Sequence, residues 1–341
     1  MPLNTRRPTG AVPWPLVLIE GQEKCGKSWS CAELSASPKV GRSLWLDLNE
    51  GAADEYGAVP GARYEVIEHD GSWASIVAQV AAAKEEASRA AGKGEKPVVL
   101  IVDSVTAEWD LLKDWASSRA ATSNSNKRRL QQDPNAEVQV SMNLWNDATS
   151  RHRKLMTILM TFPGIVVMTA RGKEVASLDA SGRPVEGTKE YKVEGHKTLA
   201  YDASVWVRLS RERPPVIVGS RSVHAGIRPG VDQPQEAPGF TLEWLIFDVL
   251  KCDPAKAHAR DLVEAKPERT PEQIRDEALR TVTTPERIKE LYTEAKDAGL
   301  ESLELTNENG EPETLARMLY RLSTERKIAP AAANGQAVKT P

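Results

Sequence analysis

Cysteine is scarce in this chain: Cys25, Cys31 and Cys252 are its three among 341 residues, and no two form a C-x-x-C pair. That excludes a disulfide-stapled scaffold and fits a reducing, cytoplasmic compartment. Long hydrophobic runs are missing as well. No apolar stretch approaches the roughly 20 residues that a bilayer-spanning helix needs, so no membrane partner is expected. The opening residues, Met1-Pro2-Leu3-Asn4-Thr5-Arg6-Arg7, lack the apolar segment of a signal peptide. Neither sign of charge is in excess, since 45 Lys and Arg face 48 Asp and Glu for a net charge of −3. A near-neutral sum still permits a local basic stripe for nucleic acid, balanced by an acidic module elsewhere. The remaining composition, 40% hydrophobic and 27% charged, is that of a globular chain with one substantial core and a smaller module.

What is present is a glycine turn with a strict spacing. Residues 21–28 read Gly21-Gln22-Glu23-Lys24-Cys25-Gly26-Lys27-Ser28, the pattern G-x-x-x-x-G-K-[ST], directly behind the apolar run Leu16-Val17-Leu18-Ile19. A strand feeding such a turn at the start of a helix is a phosphate-binding loop. Gly21 and Gly26 let the backbone aim its N–H groups at phosphate, Lys27 reaches the β and γ oxygens, and the Ser28 hydroxyl faces Mg²⁺. The implied ligand is a nucleoside triphosphate, read as ATP. A second apolar run, Val98-Val99-Leu100-Ile101-Val102, ends in Asp103, the acid expected to hold the magnesium ion beside Ser28. Glu50, just past the run Ser43 to Leu48, is the candidate for polarising the attacking water, and Asp47 competes for that role. Arg171, at the end of the run Ile165 to Ala170, is placed to sense the γ-phosphate or to touch DNA.

Strand and helix patterns alternate along the first 250 residues or so, which predicts an α/β fold with a mostly parallel central sheet and binding at the carboxyl ends of its strands. The segments 116–140 and 171–197 are polar, and the first reads as a mobile loop. Residues 252–269 are rich in Lys, Glu, Ala and Pro and read as a linker. Thr270-Pro271 and Thr284-Pro285 each supply an N-cap followed by proline at the first helical position, which predicts a small helical module over 270–327. The expected organisation is an N-terminal arm over 1–13, a core over 14–251, that linker and module, and a disordered tail over 328–341.

Four pieces of the chain resemble the RecA-type recombinase ATPases. The loop at 21–28 is similar to the RecA loop, including glutamate at its third position. The stretch from Leu46 to Tyr56 resembles the family's strand, catalytic glutamate and adenine-side acid and tyrosine. Val102-Asp103-Ser104-Val105 matches the second acidic motif, and the segment from Gly195 to Leu209 looks like the return to the sheet after the second DNA loop. Together they cover residues 14–222, and the short form resembles the phage-encoded RecA-core ATPases of the Sak type, which act in annealing and recombination.

The resemblance implies a RecA-like P-loop NTPase core and a DNA-dependent ATPase. It assigns catalysis to Lys27, Glu50 and Asp103, and metal binding to Ser28 and Asp103. ATP binding falls to Gly21, Gln22, Glu23, Lys24, Cys25, Gly26, Lys27, Ser28, Trp29, Asp54, Tyr56 and Arg171. The polar segments stand where two DNA-contacting loops stand. Their cations Arg119, Lys127, Arg128, Arg129, Lys173, Lys189 and Lys192 are candidates for phosphate, with Trp145 or Tyr191 as stacking faces. In a ring or filament of copies, Arg221 is the candidate for completing a neighbour's ATP site. Where the family carries a glutamine linking γ-phosphate to DNA, this chain has Thr169-Ala170-Arg171, and Arg171 takes that place electrostatically. The leading expectation is a Mg²⁺-dependent ATPase that binds single-stranded DNA in annealing or strand exchange. One alternative is a nucleotide-dependent loader or switch that binds a replication or recombination protein through the 270–327 module. The other is a RecA-core helicase.

Overall fold

A computed structural model describes residues 3, 5–179, 181–228, 231–262 and 269–328. The tail expected over 328–341 therefore lies almost wholly outside the described residues, as does 263–268 of the expected linker. The chain divides into two compact units, Met1–Leu262 and Val263–Pro341.

The first unit is built in the order β1 (Leu16–Gly21), α1 (Lys27–Ala36), β2 (Ser43–Asp47), α2 (Ala53–Tyr56), β3 (Tyr64–Val66), α3 (Trp73–Gly92) and β4 (Val99–Asp103). It continues through α4 (Val105–Ala121), α5 (Asn124–Gln132), α6 (Met142–Met160), β5 (Ile165–Leu178), β6 (Pro184–Glu194) and α7 (Leu199–Asp202). It closes with β7 (Val205–Leu209), β8 (Val216–Ser220), β9 (Gln235–Glu236) and a π-helical turn at Trp244–Val249. The sheet order is β3-β2-β4-β5-β1-β7-β8-β9, with β6 paired to β5. Strands β3 to β7 along this order run parallel, while β6, β8 and β9 are antiparallel additions. The expected α/β fold with a mostly parallel sheet is what the chain adopts.

Successive residues of a strand face opposite sides of the sheet, so a continuous apolar run serves two cores. In β1, Val17 and Ile19 pack with Cys31, Ala32 and Leu34 of α1, whereas Leu16 and Leu18 pack with α3 and α6 through Ile76, Val80, Leu155 and Leu159. Strand β4 divides likewise, Val99 and Ile101 to one side and Leu100 and Val102 to the other. Burying both faces fixes the register, because a slip of one residue would exchange the two cores.

One expectation about the polar segments is corrected. Residues 116–140 are largely helical: α4 runs on to Ala121, and Ser123 caps α5 by accepting from Asn126 N (3.4 Å). Asn126 is buried and donates to the carbonyls of Ala120 and Gln139 (both 2.9 Å), so a polar side chain organises the segment in place of an apolar face. In the second segment β5 runs on to Leu178 and β6, Pro184–Glu194, returns antiparallel beside it, forming a hairpin beyond the sheet edge. Residues 252–262 fall in the first unit, where Arg260 donates to Asp202 O (2.7 Å) and Ser204 Oγ (2.5 Å).

The second unit holds α8 (Pro271–Leu279), α9 (Pro285–Asp297), β10 (Glu304–Thr306), β11 (Pro312–Thr314) and α10 (Leu315–Ile328). Thr270 and Gln273 form a reciprocal capping box, and Thr284 caps α9 ahead of its proline. Ile274, Ile288, Leu291, Leu315, Met318 and Leu319 make its separate core. The β10–β11 hairpin is an addition to the expected helices; its turn is closed by Asn307 N donating to Glu311 O (2.8 Å). Among the described residues no helix is long and apolar enough to cross a membrane.

Candidate active site

The sheet brings the expected residues to one edge. Its register sets Gly21 level with Arg171 on β5 and with Leu209 on β7, and Asp47 level with Asp103. All these positions are carboxyl ends of parallel strands, and β5 lies between β1 and β4. The chain leaves β1 through the loop 22–26 and enters α1 at Lys27. Gly26, the residue before the helix, has φ +94°, a left-handed conformation that side chains rarely adopt. Because its neighbourhood is open, the requirement for glycine is conformational. The first amides of α1 lack helical partners and lie at the positive end of the helix dipole.

Lys27 Nζ donates to the carbonyl oxygens of Gly21 (3.1 Å) and Gln22 (2.8 Å), which folds the side chain back over the loop. Ser28 Oγ donates to Asp103 Oδ2 (2.8 Å), and Thr169 of β5 donates to the other oxygen, Oδ1. Asp103 is buried. Burial raises its carboxyl above the ordinary value, the bonds from Thr169 and Ser28 pull it back, and the charges of Glu50 and Asp47 push it up again. A carboxylate in this position gains from a cation.

The two competing acids have different surroundings. Asp47 Oδ1 accepts from Glu50 N (2.9 Å) and Gly51 N (3.1 Å), and Oδ2 accepts from Ala53 N (3.3 Å), so its carboxylate organises the turn into α2. Glu50 projects from that turn. Its Oε1 accepts from Ser104 Oγ (2.7 Å) and from Arg171 Nη2 (2.9 Å). Arg171 is also anchored by its backbone N–H, which donates to Thr106 Oγ1 (2.9 Å) on α4.

Trp29 and Tyr56 meet edge to face at 6.4 Å, and Trp45 stacks on Tyr56 at 6.5 Å. Trp45 is fully buried and Trp29 is exposed, so Trp29 has a face free for a ligand where Trp45 has none. Asp54, Glu23 and Lys24 are exposed, and Cys25 is half-buried with its thiol raised by burial.

The expected DNA-side cations are more dispersed. Arg119 is in the last turn of α4, Lys127, Arg128 and Arg129 lie on α5, and Lys173 faces Lys192 across the hairpin. Lys173 pairs with Glu194 (2.6 Å). The side chain of Lys189 lies outside the described residues. Trp145 is half-buried on α6. Tyr191 packs one face of its ring against the Arg208 guanidinium at 4.3 Å, and its hydroxyl is buried. Arg221 follows β8, which runs antiparallel to β7, and so stands at the sheet edge opposite the loop of its own chain.

Sequence reasoning does not pick out Glu20, Thr169, Ser104 or Thr106. Glu20 carries a visible signal, an acid near the end of an otherwise apolar strand. It is buried, and its Oε1 accepts from Arg208 Nε (2.7 Å) and Trp206 Nε1 (3.2 Å). A cluster behind the site, in which His152 Nδ1 meets Glu108 Oε2 at 2.8 Å and the His152 and His196 rings lie 4.5 Å apart, joins residues too distant in sequence to be paired by reading.

Residues 15–223 match the family model described as AAA domain. The chain is similar to a prototypical ATPase from the type III secretion system of pathogenic bacteria, at 15% identity and a TM-score of 0.33, over 58% of this chain and 51% of that one. It thus spans about half the length of that protein. It is also similar to the RadB recombinase, at 14% identity and a TM-score of 0.34, over 62% of this chain and 83% of the other. No curated protein matches the sequence.

Proposed function

The chain belongs to the AAA domain family of nucleotide-dependent P-loop ATPases, and on that premise we propose that it hydrolyses ATP with Mg²⁺ while engaging single-stranded DNA. The observation that carries this reading is the convergence of Lys27, Ser28, Asp103, Glu50 and Arg171 at one sheet edge, from four strand ends.

In this reading the Lys27 ammonium leaves the carbonyls of Gly21 and Gln22 and donates to phosphate oxygens, joined by the free amides at the start of α1. Ser28 and Asp103 supply hard oxygen donors, and the buried acid, raised by its neighbours, favours a cation beside it. Bound magnesium would supply charge neutralisation at the β and γ oxygens. Such an ion keeps several waters and takes its remaining oxygens from phosphate and from one or two protein donors. Glu50 orients the water, because Asp47 is committed to backbone amides while Glu50 is held by only a hydroxyl and a guanidinium. Arg171, which starts the hairpin arm, holds Glu50 from the strand end beside the loop.

The DNA side rests on the basic residues of α5 and the β5–β6 hairpin, and the role in phage-type annealing rests on the sequence resemblance. Fluorescence anisotropy with a single-stranded oligonucleotide, with and without ATP at two salt concentrations, tests it. Salt-sensitive binding is expected; absence of binding at low salt removes the DNA reading and leaves the ATPase.

A second reading gives the ATPase a protein partner on the second unit. Tyr320 is 74% exposed and borders, with Tyr292 and Arg317, a cavity of about 380 Å³. Tyrosine and arginine are the residue types that dominate protein interfaces. Glu308 and Glu313 are already engaged by Arg321 (2.6 and 2.9 Å), so the acidic side chains there contribute less free charge than their number implies.

A further inference from the structure

Glu20 lies in β1 one residue before the phosphate-binding loop and is wholly buried. A carboxylate in such a place is costly unless its lone pairs are bonded. One oxygen is held by Arg208 and Trp206. The other, Oε2, has no hydrogen-bond partner, and neither does the buried hydroxyl of Tyr191 on β6. Both unpaired atoms crowd the same point: a Cβ added to Gly172, at the root of the hairpin, would collide with Glu20 Oε2 and sit 2.7 Å from the Tyr191 hydroxyl. One group only accepts and the other can donate, and glycine at 172 is what allows them to approach. Tyr191 and Arg208 also border a cavity of about 330 Å³ that reaches Gln22 in the loop, which leaves the tyrosine room to shift.

Lys27 ties this cluster to the nucleotide. Burial raises the Glu20 carboxyl above its ordinary value, Arg208 and then Trp206 pull it back, and the Lys27 ammonium, bonded to the carbonyl of Gly21, adds the smallest share of that support. Under the nucleotide reading, on which this inference rests, that ammonium turns to phosphate and its support is withdrawn. We propose that Glu20 is a positioning residue whose free oxygen then accepts the Tyr191 hydroxyl, so that the β5–β6 hairpin has two seats on the sheet edge, selected by whether a triphosphate occupies the loop. The Glu20–Arg208 pair stays in place in both seats, and the Tyr191 hydroxyl, unpaired in the first, gains a partner in the second.

The test uses the full chain and a fluorescent, non-hydrolysable ATP analogue with Mg²⁺. Hydrogen–deuterium exchange at residues 172–174 and 191–194 is measured with and without the analogue. Wild type is expected to gain protection there on binding. Tyr191→Phe keeps the ring on Arg208 and removes only the hydroxyl; it should lose that response and, by linkage, bind the analogue about five- to tenfold more weakly. Gly172→Ala, which keeps both groups and blocks their approach, should lose the same response. A wild-type chain that binds the analogue without a change at the hairpin overturns this inference alone, as does a full response in Tyr191→Phe or in Gly172→Ala. A wild-type chain that does not bind the analogue overturns the nucleotide reading and this inference with it.

Discussion

The rim of the phosphate-binding loop and the helix α5 are two regions of one unit, built on opposite principles. At the rim, side chains from different strand ends are bonded to one another: Ser28 and Thr169 to Asp103, Arg171 and Ser104 to Glu50, Arg208 to Glu20. On α5 the cations Lys127 and Arg128 are exposed to solvent, on a helix that packs beside α4. Chemistry that must hold a bond in one geometry needs the first arrangement, whereas a flexible polyanion is met by the second. Substitutions should therefore act sharply and individually at the rim, and weakly and additively on α5.

The largest effect is expected from Glu50→Gln. Loss of the carboxylate that orients water should lower ATP turnover by about 10² to 10⁴, while binding of a non-hydrolysable analogue stays near wild type. Parallel turnover and binding assays check this. Asp47→Asn should instead loosen the turn at 50–53, costing about 1–2 kcal/mol of stability as the loss of a cap does, with the smaller effect on turnover. Equal turnover losses in the two variants would erase the distinction drawn between the acids.

Asp103→Asn should separate function from stability. The folded-state pKa of Asp103 is raised, chiefly by burial, so its contribution to stability is present below the ordinary carboxyl range and lost as pH rises through the raised value. At neutral pH the ionised acid is a cost in the free chain. Asparagine removes that cost, so thermal unfolding without nucleotide should rise by about 2–4 °C while Mg²⁺-dependent turnover falls, though by less than in Glu50→Gln. A lower midpoint would mean that the bonds from Thr169 and Ser28 outweigh the burial.

On α5 the expected effects are smaller. Replacing Lys127, Arg128 and Arg129 together by alanine should reduce the salt slope of oligonucleotide binding by about 2, at about 0.7 for each phosphate no longer neutralised. Any single replacement should be hard to resolve. The smallest effect is one of pH: burial, reinforced by the neighbouring His152 and Lys197, lowers the His196 pKa from 6.5 to about 4. The neutral ring is favoured in the folded chain, so the stability it contributes is present above pH 6.5 and lost as pH falls toward 4. Denaturant unfolding of wild type and His196→Gln across that window should show a steeper decline in wild type.

The same contrast explains what can be read from the residues alone. Strand β1 with its loop, strand β4 with its terminal acid, and the threonine–proline caps of α8 and α9 are local signals, written in consecutive residues, and each marks a helix or strand end in the fold. Asp47 and Glu50 cannot be separated by reading, because both follow the same strand and only the backbone turn shows which carboxylate is consumed by amides. The helix α5 reads as loop because its single buried anchor, Asn126, is polar and leaves no apolar periodicity. The hairpin is hidden for a similar reason, since its strands project beyond the core and carry charge where buried strands carry valine. Glu20 and Tyr191 are 171 positions apart by their numbers, and the parallel register of β1 with β5 together with the antiparallel return of β6 along β5 brings them together.

The central claim is that a triphosphate and its metal lodge at the loop 21–28, and calorimetric titration of the wild-type and Lys27→Ala chains with a non-hydrolysable ATP analogue and Mg²⁺ tests it most directly. Saturable binding by wild type at one site per chain, weakened at least about tenfold in the variant, is the predicted result. No binding by wild type, or equal affinity in the two chains, would contradict it.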